Sequence, residues 1–164
     1  MSIIIPDSIR TTIIITSNYN GEDIDCYGAS TGIIASSVIG GTSDYTYLWS
    51  TNETASSISG LSAGTYKVTV EDENSCTATD NVLISQPTEV IGSISVTSYF
   101  NGDNIDCYGN STGELTALFE GGVSEYSYSW TQGETTRVVN NLSAGDYVVT
   151  VTDTNGCINN TASL

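Results

Sequence analysis

Histidine is absent from this 164-residue sequence, and only Arg10, Lys67 and Arg137 carry positive charge. Without histidine the commonest general base, zinc ligand and triad member are missing. Nineteen acids give a formal net charge of −16. Such a surface repels nucleic-acid phosphates and anionic headgroups, so neither nucleic acid nor membrane insertion is expected. No run approaches the roughly 18 apolar residues of a membrane span. Residues 3–5, all isoleucine, lack the charged start and length of a signal peptide, so an export signal is expected outside these residues. Prolines number two, and charged residues make up only 13% of the chain. Ser, Thr, Asn and Gly therefore solvate the surface, a composition suited to strands and turns.

What the sequence does contain is a repeat. Cys26 matches Cys107 and Cys76 matches Cys157, both at an offset of 81. Gly32/Gly113, Trp49/Trp130, Gly64/Gly145, Tyr66/Tyr147 and Asp72/Asp153 keep that offset without a gap. From Ser17/Ser98 to Leu83/Leu164 nearly half of the pairs are identical, and the register reaches back to Pro6/Pro87. A unit this long owns a core, unlike the short units of a solenoid. The expected domains are 1–86 and 87–164, joined at Ile84-Ser85-Gln86-Pro87-Thr88, where proline marks a strand edge or junction.

Comparison of the copies separates the faces. Val68 and Val70, with Val149 and Val151, stay apolar, whereas Lys67 becomes Val148. Ile34/Leu115 and Val38/Phe119 alternate with Ile33/Glu114 and Ile39/Glu120. These are period-2 patterns with one buried face. Strands are expected at 9–16, 32–39, 45–50, 55–59, 65–71 and 77–84, with room for one short addition, and again 81 residues on. A Trp on the third strand (Trp49, Trp130) and a tyrosine corner after Leu-Ser-Ala-Gly (Tyr66, Tyr147) point to an all-β chain of two tandem immunoglobulin-like Greek-key β-sandwich domains.

Each copy reads Cys-Tyr-Gly-x-Ser-Thr-Gly, Gly-Gly, Tyr-x-Tyr-x-Trp, Leu-Ser-Ala-Gly-x-Tyr-x-Val-Thr-Val and Asp-x-Asn-x-Cys. This ordered string resembles the SprB repeat, named for the giant mobile adhesin of gliding Bacteroidetes. The resemblance implies an extracellular, bacterial cell-surface protein of many such repeats, exported by the type IX system. Its implied function is as a non-catalytic module of an adhesin filament serving surface attachment in gliding motility. The same repeat occurs in large surface proteins with no gliding role. The family often has Pro before the first Tyr of its Tyr-x-Tyr-x-Trp motif; here Asp44 and Glu125 stand there.

Four cysteines at matched spacing imply disulfides and an oxidising compartment. Pairing within each copy, Cys26 with Cys76 and Cys107 with Cys157, closes loops of about 50 residues and contributes roughly 4 kcal/mol. It is favoured because small domains usually staple themselves. In an immunoglobulin topology, however, those two loops lie at opposite ends of the sandwich. The alternative joins Cys26 to Cys157 across the two copies and leaves Cys76 and Cys107 for neighbouring repeats of the same polypeptide.

The carboxylates offer a second constellation. Glu22, Asp23 and Asp25 crowd one loop, and Asp153 and Asn155 form another group, with hard oxygens at the alternate positions that suit Ca²⁺. Their ordinary use is as turn formers, which is favoured here, and no cofactor is required. Paired acids also suggest glycosidase chemistry, but so small a sandwich offers little concavity for a catalytic cleft, so no enzyme is expected.

Tyr19, Tyr27, Phe100 and Tyr108 are either edge packing, which is favoured, or a sugar-stacking surface for polysaccharide. Asp7-Ser8-Ile9 resembles a short O-glycosylation motif, making Ser8 a candidate acceptor. Three functions remain open: an adhesive repeat contacting polysaccharide or an abiotic surface, a passive spacer projecting a distal binding domain, and an accessory module of a secreted hydrolase.

Overall fold

The computed structural model describes residues 7–162; Met1, the isoleucines at 3–5, Pro6 and Leu164 lie outside the described residues. The chain divides into two compact units, Met1–Gln86 and Pro87–Leu164. Both are built from strands alone among the described residues, so no helix is long and apolar enough to cross a membrane.

The first unit contains β1 (Arg10–Ile15), β2 (Gly32–Ile39), β3 (Thr46–Trp49), β4 (Ser57–Leu61), β5 (Gly64–Glu71) and β6 (Thr77–Ile84). One antiparallel sheet has the order β1-β2-β4 and the other β3-β5-β6. The alternation that marks these strands in sequence fixes which side chains meet. Ile13, Ile34 and Ile58 from the first sheet pack with Trp49, Val68 and Val70 from the second, and Ile24 joins them from the β1–β2 loop. The Ile13 N–H donates to Asp80 Oδ2 at 2.8 Å, tying β1 to β6.

The second unit contains β7 (Ile91–Val96), β8 (Gly113–Glu120), β9 (Ser127–Trp130), β10 (Val138–Leu142), β11 (Val148–Thr152) and β12 (Ile158–Ala162). Its sheets run β7-β8-β10 and β9-β11-β12. Leu115, Ala117 and Val139 pack with Trp130, Val149 and Val151. The Asn159 Nδ2 donates to the Val90 carbonyl at 2.9 Å.

The fourth strand of each unit lies two residues later than the sequence reading, and β11 begins at Val148, two residues later than expected. β4 begins at Ser57, because the preceding residues serve Trp49. The Trp49 N–H donates to the Glu53 carbonyl at 2.9 Å and its indole Nε1 to the Ala55 carbonyl at 2.8 Å. The Ala55 carbonyl is thereby taken by the indole, and only from Ser56, whose carbonyl accepts the Ser36 N–H at 2.8 Å, does the chain meet β2. The end of β4 is extended to buried Leu61, where the register with β2 shifts beside Gly32. The allowance for a further short strand is met, among the described residues, only by the isolated bridges Tyr19 to Glu22 and Phe100 to Asp103.

Candidate functional site

The sequence motifs gather at the two ends of each unit. At one end the β5–β6 turn is organised by Asp72, only 6% exposed. Its Oδ1 accepts the N–H groups of Asn74 (3.0 Å) and Cys76 (2.8 Å), and its Oδ2 accepts that of Thr42 (3.0 Å). These donors, the Thr42 N–H foremost and then that of Cys76, hold the Asp72 carboxyl below its ordinary 3.8 against the opposing effect of burial. Asp153 repeats the arrangement with Asn155, Cys157 and Val123 at 2.9, 2.8 and 2.8 Å. The Asp-x-Asn-x-Cys motif is thus a buried carboxylate tying the β5–β6 turn to the β2–β3 turn.

At the other end lies the long loop between β1 and β2. Asp25 Oδ1 accepts the Cys26 N–H at 2.7 Å and the Thr31 hydroxyl at 2.8 Å. Asp106 does the same for Cys107 and Thr112, and also accepts from Asn110 Nδ2 at 3.0 Å. The Asn110 and Thr112 side chains are the main cause of a lowered Asp106 pKa. Asp23 Oδ2 accepts both the backbone N–H of Ser85 (2.8 Å) and its hydroxyl (2.6 Å). Glu22 pairs through its backbone with Tyr19. Among the described residues no group of three or more His, Cys, Asp or Glu side chains is arranged to hold a metal ion. The candidate calcium ligands Asp23, Asp25 and Asp153 accept backbone and hydroxyl donors instead.

The cysteines correct the favoured pairing. Cys76 and Cys107 are exposed free thiols, so neither Cys26 with Cys76 nor Cys107 with Cys157 is formed. Cys26 and Cys157 are disulfide-bonded. The reason is the length of the hairpin. The Cys26 loop is held to the far end of β6 by Ser85 and by Gln86, whose Oε1 accepts the Gly28 N–H at 2.9 Å. Cys76 follows the turn at the other end, where Glu71 faces Thr77. Eight residues of strand separate them by roughly 25 Å, far beyond the about 7 Å Cα limit of a disulfide. In the second unit Cys107 lines the same groove as Gly145 and Tyr147, which precede β11, whereas Cys157 follows β11.

Trp49 and Trp130 are buried, and the Trp130 indole donates to the Thr136 carbonyl at 2.9 Å. The Tyr66 and Tyr147 hydroxyls donate to the Ser62 and Ser143 carbonyls at 2.9 and 2.7 Å. The four aromatic residues of the long loops divide. Tyr19 is half-buried and donates to the Thr31 carbonyl at 3.2 Å, whereas Tyr27, Phe100 and Tyr108 are exposed, Tyr108 fully. Ser8 is exposed. Sequence reasoning missed the role of Ile84, Ser85 and Gln86, read as a linker although they close over the long loop. The signal available was Gly32, whose missing Cβ makes room for the Ile84 side chain.

Each unit is therefore an all-β module whose loops are spent on their own turns. Residues 100–135, spanning the second long loop, β8 and β9, match the family model described as SprB repeat, which bears out the resemblance carried by the motifs. No curated protein matches the chain. Among solved structures the chain is similar to one described as "Structural basis for Dscam isoform specificity", at 13% identity and a TM-score of 0.40. The likeness covers 98% of this chain, which spans 46% of that one.

Proposed function

We propose that the chain is two consecutive immunoglobulin-like Greek-key repeats of an extracellular adhesin filament, acting without catalysis. The observation that carries this reading is the SprB repeat match in a chain whose two halves share one strand order and one set of turn-forming residues. The order β1-β2-β4 against β3-β5-β6, with a buried Trp on the third strand and a tyrosine corner at the start of the fifth, supports the immunoglobulin-like assignment. Function then arises from number, since many weak contacts to polysaccharide or an abiotic surface give avidity. In a gliding bacterium the natural setting is attachment during movement. Ser8, exposed before β1, is a candidate O-glycosylation site.

The states of the cysteines support a bridge of Cys26 with Cys157, the pairing that links repeat to repeat.

The test is adhesion of glass or polysaccharide beads to surfaces coated with the two-repeat protein at increasing density. Retention that rises steeply with density supports an adhesive repeat. The differing positions Ile33/Glu114 and Leu48/Ser129 argue against one ligand site repeated on a strand face, and the spacer reading predicts no retention at any density.

A further inference from the structure

The second unit has an open groove of about 820 Å³ at the end that carries its long loop. Its floor includes Gly113, Leu115, Leu142 and Tyr147, and its rim carries Asn104 and Gly109. The three floor side chains belong to the unit's core, each at most 8% exposed, yet Ile105, which lines the same groove, is only half-buried. In the first unit the equivalent Ile24 is fully buried.

The first unit shows what belongs there. The Ile84 side chain, 0% exposed, lies over Gly32, its Cδ1 3.1 Å from where a Cβ would stand. Ser85 donates twice to Asp23, and Gln86 accepts from the Gly28 N–H. The counterparts of these receiving groups are Gly113, Asn104 and Gly109, all in the groove of the second unit. Leu164 matches Leu83, so these 164 residues hold no counterpart of Ile84, Ser85 and Gln86. Among the described residues, the three atoms nearest to a Cβ placed at Gly113 all belong to Leu142.

We propose that this groove is the receptor for an Ile-Ser-Gln segment, bound as the first repeat binds its own residues 84–86. Isoleucine covers the apolar floor, the serine N–H and hydroxyl donate to Asn104 Oδ1, and the glutamine Oε1 accepts from the Gly109 N–H. Such a segment covers the half-buried Ile105 and completes this core as residues 84–86 complete that of the first unit. The groove chemistry is independent of whether the parent protein adheres; only the source of the segment rests on the tandem-repeat reading.

The test compares the 164-residue protein extended by Ile-Ser-Gln-Pro with one extended by Gly-Ser-Gly-Ser. The first extension is expected to shift the amide resonances of Ile105, Gly109 and Gly113 and to raise the second unit's Tm by about 5 °C or more. Asn104→Ala should remove part of that gain, and Asn104→Asp, which restores the acceptor of the first repeat, should retain it. A free peptide with the sequence of residues 82–88, added to the unextended protein, should shift the same three amides at millimolar concentration. Equal melting of the two extended proteins, with those amides unmoved, overturns the proposal. Loss of bead retention in the adhesion assay would leave it standing.

Discussion

Asp72 shows how a single carboxylate decides a loop. Its two oxygens take three backbone N–H groups from two turns, which asparagine, with one carbonyl oxygen, cannot do. Because these donors favour the ionised form, the folded protein holds the Asp72 proton less tightly than the unfolded chain. Its stabilisation is therefore complete above the unfolded value of about 4 and is lost as pH falls through the lower folded value. Asp72→Asn is expected to lower stability at pH 7 and to flatten the loss of stability below about pH 4, read from urea midpoints across pH. An unchanged midpoint at pH 7 would show that the turn is held by other contacts. The residue-level pattern was legible from sequence as a group of turn-forming acids, whereas its burial and its partner across the β2–β3 turn were not. That partner, Thr42, lies 30 residues away, a spacing with no local signature.

At the scale of elements, the strands were legible because alternation persists in both copies wherever a face is buried. What failed was the start of β4, where a hydrogen bond to the Trp49 indole outweighs strand propensity. The turn between β2 and β3 is dictated by Gly40 and Gly41, both at positive φ. At Gly41, with φ of 72°, a Cβ would come within 2.9 Å of Asp72 Oδ2, an atom already fixed by its N–H donor. Gly28 has nearly the same φ, 74°, but nothing within 4 Å of its Cβ position. Both alanine variants incur the left-handed backbone cost of roughly 1–3 kcal/mol. Gly41→Ala should cost more than Gly28→Ala, by about 1 kcal/mol or more, because it also displaces the carboxylate. Equal unfolding free energies from chemical denaturation would show that Asp72 moves without cost.

At the scale of the whole molecule, the cysteines and the acids carry separate expectations. Two exposed thiols and two bonded cysteines predict that the native, unreduced protein reacts with two equivalents of a thiol reagent, at Cys76 and Cys107. Peptide mapping without reduction should return Cys26 and Cys157 in one linked fragment; peptides joining Cys26 to Cys76 would reinstate pairing within a repeat. The net charge of −16 attracts cations diffusely, but the loop carboxylates already accept protein donors. Millimolar calcium or a chelator is thus expected to leave Tm unchanged, since only a ligand that prefers the folded state raises it. A chelator-induced drop would place calcium among the structural elements.

The order of motifs, the offset of 81 and the alternation along each strand were set by the sequence alone, because they are local or periodic properties readable without coordinates. Which cysteines are free, which acid is buried and which linker residues close over the long loop were decided by the tertiary structure. Each depends on which end of a strand a loop occupies. A hairpin eight residues long keeps Cys26 and Cys76 apart while bringing Asp23 to Ser85, 62 positions away in the chain.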